Sequence, residues 1–304
     1  MCAIWLGTMR GTGYSGRDER VKIGLIDIDS KIPNLALMKL STHHKKKGNS
    51  VELTSPLFAD QFDLIYASKI FNFTPMPILP GRAVVGGSGI DLSSVLDPEA
   101  ENSIPDYSLY SCDYAIGYTS RGCNRNCPFC IVHKKEGAFR PIGSILQFWT
   151  GQQRLMLLDN SLNADEGHFK FILNQLIENR IKVFFAQGLD IRLLTNNQAE
   201  LLSLVRLWKR IHFAWDFLGI EKSVIKGIEI LDRYNLKNKS MFYVLVGFNT
   251  TRDEDMYRIE TLRKLGIDPF VMPFDTRDQY QRDLARWVNH KAIFKTVEWG
   301  EYRG

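Results

Sequence analysis

The chain has 304 residues, of which 44% are hydrophobic and 24% are charged, and this is the composition of an ordinary globular protein. Its formal net charge is +5, an excess of basic side chains that is too small to indicate nucleic-acid binding by itself. It has no apolar run long enough to cross a membrane and no signal-peptide core, and its five cysteines do not form a disulfide framework. We therefore expect a cytoplasmic protein without a membrane partner, and a nucleic-acid partner is not indicated.

Residues 1–20 are predicted to be a flexible leader. The segment from Gly11 to Gly16 matches the glycine pattern G-x-G-x-x-G of dinucleotide-binding sites. That pattern has meaning only between a strand and a helix of a βαβ unit, whereas here a charged run and then a new strand follow it. We interpret the match as chance.

Residues 21–105 are predicted to form a small Rossmann-like α/β domain, because short apolar strands alternate with helical and turn segments. A helix of about Asn34–Lys46 follows Pro33 and ends at Gly48, and its basic C-terminal residues are interpreted as a solvated helix end. The stretch 89–105 is interpreted as an irregular linker. The predicted strands are Val21–Ile28, Ser50–Leu53, Phe62–Ala67 and Ala83–Gly87.

From residue 106 to residue 290, strand and helix alternate six times, which is three-quarters of a (β/α)8 barrel. The intervening helices are amphipathic, and one of them is predicted to place Leu201, Leu202, Val205 and Trp208 on a single buried face. Residues 291–304 are interpreted as a C-terminal tail. The predicted strands are Tyr114–Tyr118, Leu155–Leu158, Lys182–Phe185, His212–Trp215, Met241–Val246 and Pro269–Met272.

The most informative motif is the triplet Cys123, Cys127 and Cys130, which has the spacing C-x3-C-x2-C. Three thiolates this close in sequence indicate one metal centre, and thiolates select iron–sulfur clusters or zinc. A structural Cys3His zinc site with His133 is the alternative, but such sites usually stabilise small modules rather than a large α/β domain. The triplet follows the first barrel strand, so it is expected at the C-terminal rim, where barrel active sites lie.

The cysteine spacing, the aromatic Phe129 before the last cysteine and the preceding strand together resemble the radical S-adenosylmethionine (SAM) superfamily. This resemblance implies an enzyme with a single [4Fe-4S] cluster whose fourth iron position binds SAM. It also implies reductive cleavage of SAM to a 5′-deoxyadenosyl radical, an electron donor such as flavodoxin or ferredoxin, and a substrate that the sequence does not identify. The fold class expected is α/β, with the Rossmann-like domain followed by a partial (β/α)6 TIM-type barrel.

The resemblance also implies a set of SAM contacts at the ends of the barrel strands. Asp159 has a helix N-cap as its alternative interpretation, and Asp190 has an internal salt bridge with Arg192. Asp216 and Asp275 are further strand-end candidates for substrate contacts. The residues expected at SAM are Phe129, Asp159, Asn160, Gln187, Asp190, Arg192 and Gly247.

Over residues 21–290 the chain is similar to radical SAM proteins of unassigned activity that carry a cobalamin-binding-type domain. Asp27, Ser68 and the glycine pair 86–87 fall near elements of the cobalamin fold, but Asp29 stands where the cobalt-binding histidine would be. We therefore expect the fold without bound cobalamin. A cobalamin-dependent methyltransferase and a non-catalytic metal-stabilised binding protein remain as alternatives. A methylthiotransferase is disfavoured, because those enzymes carry three further cysteines in their N-terminal domain.

Overall fold

The computed structural model describes residues 20–302 and shows a mixed α/β structure with parallel sheets. The α/β class predicted from the sequence is therefore confirmed. The chain divides into two compact units: the first extends to Ile116 and includes Leu146–Thr150, and the second comprises Gly117–Ile145 and the chain from Gly151 onward. The glycine pattern at residues 11–16 lies outside the described residues. No helix within residues 20–302 is long and apolar enough to cross a membrane.

The first unit is built on a four-stranded parallel sheet. The strand order is β2-β1-β3-β4, and Leu25 of the inner strand pairs with Leu53 on one side and with Tyr66 on the other. All four predicted strands form, because each is a short apolar run that packs into the core of this unit. The elements are β1 (Lys22–Asp27), α1 (Leu35–Lys46), β2 (Ser50–Leu53), β3 (Leu64–Ser68), β4 (Ala83–Gly86) and α2 (Pro98–Glu101).

Helix α1 begins and ends where the sequence predicts. The Asn34 side chain accepts a hydrogen bond from the Leu37 amide as N-cap, and Gly48 follows the helix with a φ of +83°. Its basic end is not simply solvated, however. His44 is buried and its Nε2 lies 3.1 Å from the hydroxyl of Tyr66. Burial, together with the nearby positive charge of His43, lowers the pKa of His44 from 6.5 to about 4.

The stretch 89–105 is also more ordered than predicted, since it contains helix α2. Asp97 caps this helix by accepting a hydrogen bond from the Glu99 amide, and Pro98 stands at its first position. Proline is favoured there because its missing N–H would have no partner in any case. The two prolines that suggested an irregular linker therefore include one that starts a helix.

The second unit contains two parallel sheet segments and one short antiparallel pair. Strands β8, β9 and β10 are adjacent in one sheet, which β5 (Ala115–Gly117) joins at Gly117 through a hydrogen bond from the Leu158 amide. Strands β11, β12 and β13 form the other sheet. The elements are β6 (Ser120–Arg121), α3 (Val132–Lys135), β7 (Arg140–Pro141), β8 (Arg154–Leu157), α4 (Glu166–Glu178), β9 (Lys182–Phe185), α5 (Asn196–Leu204), β10 (Arg206–Leu207), β11 (Ile211–Ala214), α6 (Glu221–Arg233), β12 (Ser240–Val246), α7 (Arg252–Lys264), β13 (Asp268–Pro273), α8 (Gln279–Asn289) and α9 (Lys291–Thr296).

One predicted helix face is wrong. Helix α5 ends at Leu204, so Val205 and Trp208 lie beyond it, on either side of β10. Trp208 donates its backbone amide to the Val183 carbonyl and packs edge-on against Phe184, with ring centroids 6.2 Å apart. The spacing of these apolar residues fits a helix, but strand pairing with β9 determines their conformation.

Helices α7 and α8 pack against the β11-β12-β13 sheet, and the sheet residues on that face are almost fully buried. At β13, the strand at the edge of this sheet, Asn289 of α8 hydrogen-bonds both backbone groups of Val271: its Oδ1 accepts from the amide at 2.8 Å and its Nδ2 donates to the carbonyl at 3.0 Å. Beyond α8, the Trp287 indole donates to the Val297 carbonyl and packs against Phe294 of α9. The segment interpreted as a tail thus packs against α8.

Candidate metal centre

The three cysteines lie in one loop, which the short antiparallel pair β6–β7 closes at its base. Arg121 pairs with Arg140 across this base, and the Cys123 amide donates to the Gly137 carbonyl at 3.2 Å. Gly122 starts the loop with a φ of +77°, and a Cβ at this position would clash with the backbone carbonyl of Ala138. Only glycine suits this position, because the backbone is left-handed and the two ends of the loop meet there.

The carboxylate of Glu136 holds the loop together from its far end. Its Oε2 accepts hydrogen bonds from the Gly122 amide and from Asn160 Nδ2, both at 2.9 Å, and its Oε1 accepts from Arg121 Nη1 at 3.2 Å. One side chain therefore connects the residue before the first cysteine, the α3 end of the loop and the segment after β8. Sequence analysis did not identify Glu136, because an isolated acid in a loop has no periodicity or spacing that would mark it.

The cysteines are free thiols, and backbone amides donate to two of the sulfurs. Arg125 N lies 3.4 Å from Cys123 Sγ, and Val132 N lies 3.5 Å from Cys130 Sγ. Burial raises the pKa of the Cys127 thiol, and the guanidinium of Arg192 opposes this shift. Amide donors to sulfur are the contacts that protein-bound iron–sulfur clusters use.

No group of three or more His, Cys, Asp or Glu side chains among residues 20–302 is close enough to hold a single metal ion. A four-iron cluster binds each thiolate through a different iron, so its ligands stand farther apart than those of one ion. Three free thiols in one closed loop, with amide donors to sulfur, fit a cluster of this kind.

Asp190 forms a salt bridge with Arg192, as the alternative interpretation of this pair proposed, and also binds the cysteine loop. Its Oδ1 accepts from Arg192 Nε at 2.7 Å, and its Oδ2 accepts from Arg192 Nη2 and from Arg125 Nε, both at 2.9 Å. Burial disfavours the charged carboxylate, but the two guanidiniums outweigh it and hold the pKa of Asp190 below its usual range. Arg125, between the first two cysteines, was missed in the sequence.

Asp159 is only 3% exposed, and its carboxylate accepts hydrogen bonds from the backbone and the hydroxyl groups of both Thr119 and Ser120 at 2.5 to 3.2 Å. Burial raises its pKa, although these bonds oppose the shift. The carboxylate thus fixes the segment that leads into the cysteine loop. Asn160 is more accessible, with its amide nitrogen on Glu136, and Gln187 is exposed after β9.

Gly247 and Phe129 lie at the end of β12. Gly247 has a φ of +79°, donates its amide to Asp255 Oδ2 at 3.1 Å and approaches the side-chain amide of Gln281 so closely that a Cβ would clash with it. Phe129 packs edge-on against Phe248, the residue after Gly247, with ring centroids 5.3 Å apart. The cysteine loop therefore contacts the end of β12 through two aromatic rings.

A buried ion pair supports this strand end from behind. Arg258 of α7 is fully buried, and its guanidinium donates to the Trp215 carbonyl at 2.5 Å, to the Leu245 carbonyl at 2.9 Å and to Asp255 at 2.5 Å. The pair satisfies backbone groups that the ends of β11 and β12 leave without strand partners. Sequence reasoning missed it, because both residues lie in a helix that is rich in charge.

In the first unit, residues at the positions of the cobalamin-fold elements make hydrogen bonds within the protein. Both oxygens of Asp29, the residue in place of the cobalt ligand, accept backbone hydrogen bonds, from Ile70 at 2.7 Å and from Phe71 at 3.0 Å. At the same edge the Asn34 side chain donates to the hydroxyls of Ser30 at 2.9 Å and Ser68 at 2.8 Å. Asp29 is thus bound by backbone amides, and Asn34 and the two serines are bound to one another.

Comparison with known proteins gives a partial match. No family model matches the chain. It is 26% identical over 118 residues to the ribosomal protein uS12 methylthiotransferase RimO of Haemophilus ducreyi, a region that covers 36% of this chain and 25% of that protein. The RimO proteins of Nitrosomonas eutropha and Pseudomonas aeruginosa are 25% and 24% identical, over 36% of this chain and 24% of their own lengths.

The matched region thus spans about a quarter of each relative. RimO is a radical SAM methylthiotransferase, and enzymes like it use [4Fe-4S] clusters and SAM. This similarity supports an enzyme and agrees with the cysteine spacing and the free thiols of the loop. Together they support membership of this chain in the radical SAM superfamily.

Proposed function

We propose that the chain is a radical SAM enzyme in which Cys123, Cys127 and Cys130 hold a single [4Fe-4S] cluster and leave one iron to SAM. The observation that carries this proposal is the closed loop that presents three free thiols and is held at both ends by the protein. When bound, the cluster and SAM supply a 5′-deoxyadenosyl radical that abstracts hydrogen from the substrate. The electron comes from a donor such as flavodoxin or ferredoxin.

In this proposal the polar groups around the loop have two tasks. Glu136 and Asp159 are positioning residues, because their carboxylates are occupied by groups at the base of the loop. The backbone amides of Arg125 and Val132 donate to the sulfurs of Cys123 and Cys130 and so fix the positions of these two side chains. The protein thus orders the ligands before any cofactor binds.

The SAM contacts are assigned to the accessible groups of the same rim. Arg192 engages Asp190 through Nε and Nη2, and its Nη1 makes no hydrogen bond within residues 20–302, so this nitrogen is the one offered to the SAM carboxylate. Asn160, Gln187 and the backbone of Gly247 are assigned to the remaining polar groups, and Phe129 to the adenine. Asp159 and Asp190 act through the residues they hold.

The architecture proposed is a Rossmann-like domain at residues 21–105 and a partial (β/α)6 barrel at residues 106–290. Strands β5, β8, β9, β11, β12 and β13 are its six barrel strands. The parallel pairing within each sheet and the alternation of strand with helix support this arrangement. In such a barrel the loops at the C-terminal ends of the strands form the active site.

Anaerobic reconstitution with iron and sulfide tests the proposal. We expect a brown protein with about four irons per chain, which cleaves SAM to 5′-deoxyadenosine when dithionite is added. Serine in place of Cys123, Cys127 or Cys130 should remove both the cluster and the cleavage. Cys112→Ser is the matched control and should retain both. A colourless chain that carries one zinc ion, or a Cys127→Ser variant that still cleaves SAM, would contradict the proposal.

A further inference from the structure

The sheet formed by β11, β12 and β13 has one covered and one open face. Residues in β12 alternate between buried and partly exposed, and those in β13 alternate in step with them, because paired residues of parallel strands share a face. The covered face lies under α7 and α8. On the open face, Phe270 is 37%, Met272 45% and Phe274 52% exposed. We name these three residues the apolar stripe.

Asp216 belongs to the same open face. His212 of β11 lies on that face, since its Nδ1 is 2.9 Å from the hydroxyl of Tyr243, whose ring in turn packs against Phe270. Side chains alternate along a strand, so His212, Ala214 and Asp216 project on the same side. Asp216 therefore projects from the end of β11 on the side that carries the apolar stripe.

The open face connects directly to the cysteine loop. Phe274, at the top of the apolar stripe, packs against Phe248 with ring centroids 4.7 Å apart, and Phe248 packs against Phe129. The apolar stripe thus adjoins the cysteine loop.

The carboxylate of Asp216 is only weakly engaged by the protein. Among residues 20–302 no side chain forms a salt bridge with it. Burial raises the pKa of Asp216, and the nearby charges of Arg258 and Arg192 oppose this shift. The other strand-end acid that the sequence indicated, Asp275, is paired with Arg277 at 3.0 Å. A carboxylate that can still accept hydrogen bonds, beside exposed apolar side chains, suits a ligand that has a hydrogen-bond donor on an apolar group.

We propose that Asp216 and the apolar stripe form the binding surface for the substrate, and that the group bound there is an apolar or aromatic moiety with an ammonium or other N–H donor. The stripe packs against the apolar body, and the Asp216 carboxylate accepts from the donor. The name substrate rests on the proposed radical SAM function, but the preference for an N–H donor rests on this surface alone.

A matched pair of small probes tests this preference without any catalytic readout. Phenethylamine carries an ammonium on an aromatic ring, and phenylpropionate carries a carboxylate on the same ring. Both are titrated by saturation-transfer NMR against the reconstituted full chain without reductant. We expect phenethylamine to bind at least about tenfold more tightly, because a charge-assisted hydrogen bond to a partly buried carboxylate has about that effect.

Variants then assign the preference to this surface. Asp216→Asn should weaken phenethylamine binding about tenfold and abolish the preference, whereas Met272→Ser should weaken both probes by about fivefold. Asp275→Asn is the matched control and should change neither affinity. The inference would be overturned if neither probe bound, or if the unchanged chain bound both with equal affinity. It would also be overturned if Asp216→Asn kept the preference for phenethylamine. Failure of the radical SAM proposal would appear separately, in the iron content and SAM cleavage.

Discussion

The carboxyl ends of the parallel strands are treated differently in the two units. In the first unit, Asp29 accepts hydrogen bonds from two backbone amides and Asn34 donates to Ser68, so the polar groups at the strand ends are bound within the protein. In the second unit, the loop that follows β6 carries three free cysteines, and Asp216 after β11 forms no salt bridge among residues 20–302. The polar groups at these strand ends are thus bound within the protein in the first unit, whereas in the second unit Asp159 is bound in this way and Asp216 forms no salt bridge among the described residues.

The two units therefore differ in how the polar groups at the carboxyl ends of their strands are bound. Carboxyl ends of parallel strands gather dipoles and loops, which makes them the usual ligand position. The first unit has that parallel topology, but the polar groups at its strand ends form hydrogen bonds within the protein. Substitutions at the strand ends of the first unit should therefore lower stability, and those at the strand ends of the second unit should mainly change ligand binding. The exception is the buried pair Arg258 and Asp255, which lies behind the strand ends of the second unit.

The largest loss of stability is expected when the buried pair of Arg258 and Asp255 is broken. Arg258→Met leaves the buried Asp255 carboxylate without its partner and two strand carbonyls without a donor, so the free energy of unfolding should fall by about 3–5 kcal/mol. Urea unfolding followed by circular dichroism measures this loss. Arg263→Met on the same helix is the control: its ion pairs are partly exposed, and it should cost less than about 1 kcal/mol. Equal losses in the two variants would contradict the support role.

The next largest effect is a pH dependence of the first unit. Burial lowers the pKa of His44 from 6.5 to about 4, so the folded state binds this proton less readily than the unfolded chain. Stability should therefore fall as the pH drops from about 6.5 toward 4, by up to about 3 kcal/mol. Urea midpoints across this range measure the slope. His44→Gln should flatten it, and a His44→Gln variant with an unchanged slope would show that other groups cause it.

A smaller loss of stability is expected for Asn34, at the strand ends of the first unit. Asn34→Ala removes the N-cap of α1 and the donor to two serine hydroxyls, and should lower the free energy of unfolding by about 1–2 kcal/mol. Iron content after reconstitution and SAM cleavage should stay at the level of the unchanged chain. An Asn34→Ala variant that keeps normal stability but binds no iron would contradict this prediction, because it would show that the first unit is needed for the metal centre.

The smallest change in stability is expected for Arg125, in the cysteine loop of the second unit. Arg125→Met leaves Asp190 with its bidentate partner Arg192, and Arg125 is partly exposed, so the loss should stay below about 1 kcal/mol. The cysteine loop should nevertheless become more mobile, because its contact with Asp190 is gone. Amide hydrogen exchange over residues 122–139 measures this, and exchange as slow as in the unchanged chain would refute the contact's importance.

Most of the architecture follows from local patterns. The strands were predictable because each is a short apolar run between turn residues, as in Lys182–Phe185, whose bounds the structure reproduces. The end of helix α5 was not, because Val205 and Trp208 keep a helical spacing while pairing with β9 decides their conformation. His44 is similar: a basic run suggests solvent, whereas its contact with Tyr66 lies 22 residues away.

The candidate site was predictable only where chemistry fixes the spacing, as in the cysteine triplet. The groups that hold the loop come from distant parts of the chain: Asp190 is 65 residues from Arg125, and Glu136 is 24 from Asn160. Nothing local distinguishes a strand-end acid that binds a ligand from one that holds a loop. For Asp159 the difference lies in its hydrogen bonds to Thr119 and Ser120, which only the folded chain reveals.

The side chain of Asn289 has a consequence for self-association. Its amide imitates a neighbouring strand, since it both donates to and accepts from the backbone of Val271 on the outermost strand of its sheet. An unsatisfied outermost strand is a template on which a second chain can add its own strand. Asn289 therefore occupies two of the backbone groups that intermolecular strand pairing on β13 would use.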